Sequence, residues 1–433
     1  FQKKYENSIL AKFNIKKDAL RSRIINSCEE MKREEPDNKI LIDIKNEEEI
    51  KKCDIFINET KIEFTYYYDF PSEGEYTIIY KFHTPIQIAD FMFCKCLHLI
   101  SVDLSNFNDK NLVSIRGMFY LSLNLEYLNL SNLHIDKCKN MEYLFCYCRC
   151  IKKLDLSDFN TENVINMDNL FCSCYSLTSF DIKNFNTKNV TNMRCMFENC
   201  SELKSLDVTH FNTDNVINMR DMFCECRSLK SLDVSNFNTA KVTDMSNMFR
   251  DCYQIEYLDV SNFNTENVTS MEGMFYSCLS LKKLNLNNFK TTNCISMYRM
   301  FNACENIIEL DLSSFDTKNV KLFHEMFEGC KSLIKINLSN FDTSKVENMK
   351  NMFKNCFSLT ELDLSNFNWE NVENLNSAFA NCYGLVILKL PEIKKQDLDY
   401  EGIFYNCNSL MGDFPFFDKH KACTGTQIPC IIF

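Results

Sequence analysis

The chain has 433 residues, 45% of them hydrophobic and 25% charged, with a formal net charge of −11. It can bury a large core, while its acidic balance, with lysines scattered among carboxylates, argues against nucleic acid as a partner, since such binders concentrate positive charge. No apolar run approaches the ~20 residues of a spanning helix, so no integral membrane segment is expected.

Taken in chain order, residues 1–35 place Phe1, Tyr5, Ile9 and Phe13, then Leu20, Ile24, Cys28 and Met31, at spacings of three, four and seven. That stripe predicts an amphipathic helix, ended by Pro36, which cannot continue it. The opening residues are no secretory leader, and a start at Phe1 fits a processed or partial product. Residues 36–90 carry runs rich in β-branched and aromatic side chains at 39–44, 54–58, 62–70 and 75–82, divided by Asn, Asp, Pro and Gly. They predict a small β-rich module that caps the edge of the next segment.

From 91 to 410 the chain repeats. Phe119, Phe145, Phe171, Phe197 and Phe223 open a column that returns every 26 residues as far as Phe379, and a cysteine column keeps the same step. One unit reads Leu203, Leu206 and Val208 in the L-x-x-L-x-L spacing of a leucine-rich repeat strand, then Phe211, then Asn212 and Thr213 as a turn. Val216, Met219, Phe223 and Cys226 come next at spacings of three, four and three, which predicts a short helix or 3₁₀ segment with one buried face. The fold class expected is therefore α/β: a leucine-rich-repeat solenoid with a parallel β-sheet on one face and short helices on the other. Residues 411–433 form an aromatic, then cysteine-containing, tail expected to cover the last coil.

Ser231 to Thr239, with Val242 to Met245 and Met248, Phe249 and Cys252, resembles the BspA-like leucine-rich repeat family. That family includes repeats described as a mycoplasma domain of unknown function, and the cysteine, asparagine and phenylalanine content looks most like a protist member. The resemblance implies binding rather than catalysis, in proteins that look like surface adhesins.

Two columns compete for function. The ladder cysteines Cys174, Cys200, Cys226, Cys252, Cys278, Cys304, Cys330 and Cys356 sit on the apolar face, where a free thiol is a small packing residue. Pairs such as Cys94 and Cys96, or Cys224 and Cys226, leave a zinc reading open, although zinc prefers wider spacing and a second pair. Cys146 and Cys172 share a column in neighbouring coils, and Cys423 and Cys430 close a short loop, so disulfides confined to off-ladder cysteines are the third reading.

The second column is acidic: Asp155, Asp181, Asp207, Asp233, Asp259, Asp311 and Asp363, interrupted by Asn129, Asn285 and Asn337. Its members alternate with inward strand residues and so project from the concave face, beside Tyr127 and Tyr257. Stacked like charges repel, and Lys152, Lys153, Lys204, Lys230, Lys282, Lys283 and Lys335 are placed to compensate. The column reads as a solvated structural ladder, a strip for a divalent cation, or a strip recognising a basic partner.

No nucleophile or metal phrase surrounds any histidine, and eight glycines form no phosphate-cradling loop. The expectation is a protein without enzymatic activity, catalytic residues, cofactor or metal, which binds a protein or other ligand through its strand face. An alternative is an intracellular scaffold docked through the N-terminal helix. Unpaired thiols favour a cytoplasmic setting; the family implies the cell surface.

Overall fold

Side-chain alternation starts the fold. In the computed structural model, which describes residues 6–38, 40, 45–107, 110–131, 133–393, 395, 397–412 and 414–423, the chain forms two compact units, Phe1–Asn215 and Val216–Phe433. The first unit opens with strand β1 (Ser8–Ile15), in which Ile9, Ala11, Phe13 and Ile15 are all buried. This corrects the helix expected over 1–35. A spacing of four between Ile9 and Phe13 is common to both periods, and Ala11 and Ile15 decide for the strand. Phe1 and Tyr5 lie outside the described residues.

Among the described residues of that stretch the helical part is α1 (Cys28–Glu34), whose N-cap Ser27 accepts the Glu30 amide through its side chain. Its buried residues Cys28 and Met31 pack on Phe91 and Cys94 of the same unit. The scaffold alternative loses its docking element, because this short helix has its apolar face already covered.

Strands β2 (Arg21–Arg23), β3 (Cys53–Ile57), β4 (Thr60–Ile62), β5 (Tyr67–Asp69) and β6 (Gly74–Phe82) build the module, with a four-residue helix α2 (Glu47–Ile50) between β2 and β3. The strand expected at 39–44 falls almost wholly outside the described residues. β1 lies between β6 and the first repeat strand, β7 (Leu99–Asp103), antiparallel to both. β7 then pairs in parallel with β8 (Tyr127–Asn129), giving the sheet order β4-β3-β6-β1-β7-β8. The module thus occupies the edge of the first repeat strand, whose N–H and C=O groups would otherwise be open.

Repeats within each unit stack in parallel at a step of 26, as at Asp155 with Asp181 in the first unit and Tyr257 with Lys283 in the second. In the second unit, β9 (Glu309–Asp311) pairs with β10 (Lys335–Asn337), and β11 (Glu361–Asp363) with β12 (Ile387–Lys389). Phenylalanine rings run through the core of each unit as a stack: Phe119 to Phe145 at 6.0 Å in the first, Phe249 to Phe275 at 5.8 Å in the second. Phe404 continues the second stack under Phe414 and Phe417, ahead of a last turn of helix, α3 (Lys419–Ala422).

The short helices expected opposite the strands are absent: among the described residues from 91 to 410 there is no helix. In Met219 to Cys226 the amides of Met222, Cys224 and Cys226 bond three residues back, while those of Met219, Asp221, Phe223 and Glu225 bond Asp244, Ser246, Met248 and Arg250 of the next coil. Asp221 and Glu225 have φ of 55° and 59°. A helix needs negative φ throughout and sends every amide along its own axis. Here consecutive tight turns keep the apolar spacing of a helix, and half the amides tie neighbouring coils together.

Candidate functional site

The surface that could recognise a partner is easiest to define by removing what the fold itself consumes. The cysteine ladder is consumed. Cys174 donates its Sγ–H to the Phe145 carbonyl at 3.2 Å, and Cys252, Cys278, Cys304, Cys330 and Cys356 repeat that contact with the phenylalanine 29 residues earlier, at 3.0–3.2 Å. Burial pushes the Cys330 thiol up to about 12, so it stays a protonated donor. Ser122, standing in the same column, gives its hydroxyl to Phe93 in the same way. Cys200 makes the same contact with the Phe171 carbonyl at 3.3 Å, and Cys226 is likewise buried. Cys423 is disulfide-bonded; Cys430 lies outside the described residues.

Threonine and asparagine columns are consumed too. Buried Thr265 both donates to the Lys290 carbonyl and accepts the Lys290 amide, at 3.0 and 2.8 Å. Asn267 donates to the Ala240 carbonyl of the previous coil.

The aspartate column divides its two oxygens. Oδ1 of Asp155, Asp181, Asp207, Asp233, Asp259, Asp311 and Asp363 accepts the amide two residues on, at 2.9–3.1 Å. Asn129, Asn285 and Asn337 make the same bond with the same atom, which explains why they interrupt the column without harm. Hydrogen bonds from Ser261 and Ser313 hold Asp259 and Asp311 below the usual carboxylate range, and Ser365 with Lys389 brings Asp363 down to about 2. Of the lysines expected to neutralise the column, Lys282 instead pairs with Glu256 at 2.6 Å; the partners of Asp181 and Asp363 are Lys183 and Lys389, which were not among those expected.

What remains is grooved. In the second unit, Asp233, Asp259 and Asp311 line a groove of about 980 Å³ with Tyr257, Lys283, Ile308 and Glu309. Tyr257 is 64% exposed, with the Lys282 ammonium 5.8 Å from its ring centroid. In the first unit Tyr127 and Asp155 share a groove of about 580 Å³ with Lys152 and Lys153. Asp363 lines a third, with Ile334, Lys335, Ile387 and Lys389. Asp181 and Asp207 are exposed but line none of these.

The expected residues therefore fall into separate clusters within each unit. Ile308, Ile334 and Ile387, between 44% and 50% exposed, were not expected from the sequence. The signal for them is variability: positions 257, 283, 309, 335, 361 and 387 carry Tyr, Lys, Glu, Lys, Glu and Ile, and the column one residue earlier, at 256, 282, 308, 334 and 360, carries Glu, Lys, Ile, Ile and Thr, beside inward residues that hardly change.

Comparison with known proteins picks out the same repeat. A family model described as "Mycoplasma protein of unknown function, DUF285" matches residues 87–205, 123–232, 199–309 and 295–414. The chain belongs to this family of BspA-like leucine-rich repeats. Among solved structures it is similar to a leucine-rich repeat protein from Bacteroides ovatus, at 16% identity and a TM-score of 0.47, over 79% of this chain and 85% of that one. It is also similar to one from Eubacterium ventriosum, at 16% identity and a TM-score of 0.28, over 71% and 79%. No curated protein matches. Among the described residues no helix is long and apolar enough to cross a membrane.

Proposed function

We propose that this is a non-catalytic binding protein that recognises a protein partner through the exposed residues of its repeat strands, centred in the second unit on Tyr257, Lys283 and Ile308. One observation carries the reading. Inward positions of the repeat are nearly invariant and fully used by the fold, whereas the outward strand positions change from coil to coil and place an exposed aromatic ring in a groove. Exposed tyrosine beside apolar and charged residues is the composition of an energetic centre at a protein interface. Membership of a repeat family of protein-binding and surface proteins supports the same reading. Adhesion is the biological setting that the family suggests.

The test compares capture from a native extract by the full chain, by a Tyr257→Ala/Lys283→Glu variant, and by an Ile295→Asp control at an exposed position outside the groove. The groove variant should lose specific partners by at least about tenfold while the control retains them. Equal capture by all three chains would refute recognition through this face.

A further inference from the structure

The ladder cysteines donate to a backbone carbonyl of the preceding coil, as Cys148 and Cys174 do, whereas Cys172 donates to a side chain and Cys146 lies beside it. They occupy the same position in successive coils of the first unit, 26 residues apart. The coils are locked together on both sides of them, since Phe145 donates to the Leu170 carbonyl at 3.0 Å and Tyr147 to the Cys172 carbonyl at 2.8 Å. The Phe145 and Phe171 rings next to them stack at 5.5 Å. Both cysteines are free and buried, at 1% and 5% exposure. The Cys146 thiol is in hydrogen-bonding contact with Cys172. Cys172 Sγ lies 3.7 Å from Ser173 Oγ and donates to Glu198 Oε2 at 3.6 Å. One coil spacing falls within the Cα separation that a disulfide spans.

The geometry points to a redox modification site, at which a small uncharged oxidant, hydrogen peroxide, joins Cys146 and Cys172 in a disulfide between two coils. The Cys172 sulfur attacks one peroxide oxygen; the S–O bond forms as the O–O bond breaks, and the thiol proton passes through Glu198 Oε2 to the departing hydroxide, giving water and a sulfenic acid. The Cys146 sulfur then attacks the Cys172 sulfur. The S–S bond forms, the S–O bond breaks, and the Cys146 proton leaves with the hydroxide as a second water, so two sulfurs are oxidised and one peroxide is reduced. Tyr120, Tyr143 and Tyr147 are half-buried beside the pair, the Tyr143 and Tyr147 ring centroids lying 5.5 and 6.4 Å from that of Tyr120. The ladder cysteines are spared because each sulfur is held against a carbonyl in the core, as Cys148 is against Phe119. Closing a loop of about 25 residues constrains the unfolded chain and fastens two coils.

The experiment oxidises the reduced full chain with stoichiometric hydrogen peroxide, alkylates remaining thiols during denaturation, and maps the tryptic peptides without reduction. The expected result is a link between peptides 140–149 and 154–183, with Cys148 and Cys174 alkylated, and a rise in Tm of about 5 °C over a Cys146→Ser/Cys172→Ser chain oxidised in the same way. Cys146→Ser and Cys172→Ser should each abolish the link and the rise, and Cys148→Ser should retain both. Oxidation that leaves Cys146 and Cys172 alkylated, that stops at sulfinic acid without a link, or that joins Cys148 to Cys174 instead would overturn the inference.

Discussion

Replacing Thr265 with valine tests whether polar ladders, rather than apolar stacking alone, hold the coils together. The two side chains have the same shape, Thr265 is fully buried, and by transfer energies alone the exchange should be neutral or mildly stabilising. Its hydroxyl, however, satisfies both the amide and the carbonyl of Lys290 in the next coil, at 2.8 and 3.0 Å. Two net hydrogen bonds at about 1 kcal/mol each, plus part of the desolvation cost of a stranded amide, amount to roughly 3 kcal/mol, and the extra methyl returns about 1. A net loss of about 2 kcal/mol corresponds to roughly 30-fold weaker protection of the Lys290 amide. Hydrogen exchange at that amide reads this loss locally, and urea denaturation under reducing conditions reads it globally. Unchanged protection at Lys290, or a midpoint at or above that of the parent, would refute the ladder argument.

Ala303 holds φ of 57°, in a column where other repeats carry Gly329, Asn355 and Asn381. Relief of about 1 kcal/mol of left-handed strain exceeds the added unfolded-chain entropy, so Ala303→Gly should raise the urea midpoint, against the usual direction for that exchange; a lower midpoint would contradict the turn geometry. Acid should act through the aspartate column. Because the Asp363 carboxyl is held at about 2 in the folded chain, below its ordinary value, its contribution is present above pH 4 and lost as pH falls toward 2. Asp363→Asn keeps the Oδ1 acceptor but cannot titrate, so its Tm should start lower through loss of the Lys389 contact and fall less between pH 4 and 2. Parallel Tm curves for parent and variant across that range would show that the column does not titrate as described.

The repeat was legible because its information is translational. A 26-residue step in Phe, Cys, Thr and Asn means that each residue meets its own kind in the next coil, so one unit read from Leu203 to Cys226 describes them all, and an extended segment of L-x-x-L-x-L spacing has one way to bury Leu203, Leu206 and Val208. The β segments at 54–58 and 75–82 were equally plain, matching β3 and β6 to within a residue. Where two structures share a periodicity, spacing could not choose between them. Ile9 and Phe13 suit a helix or a strand, and β1 became a strand because β6 and β7 offered partners on both sides. Met219, Phe223 and Cys226 likewise suit a helix, yet adjacent coils compete for the amides of Met219, Asp221, Phe223 and Glu225 and win them, which leaves tight turns at positive φ. The candidate site was visible as chemistry but not as grouping. Asp and Tyr could be assigned to the strand face from alternation, whereas which of them share a groove, and that Lys282 is already paired with Glu256, depend on contacts between residues in neighbouring coils that exist only once the coils stack.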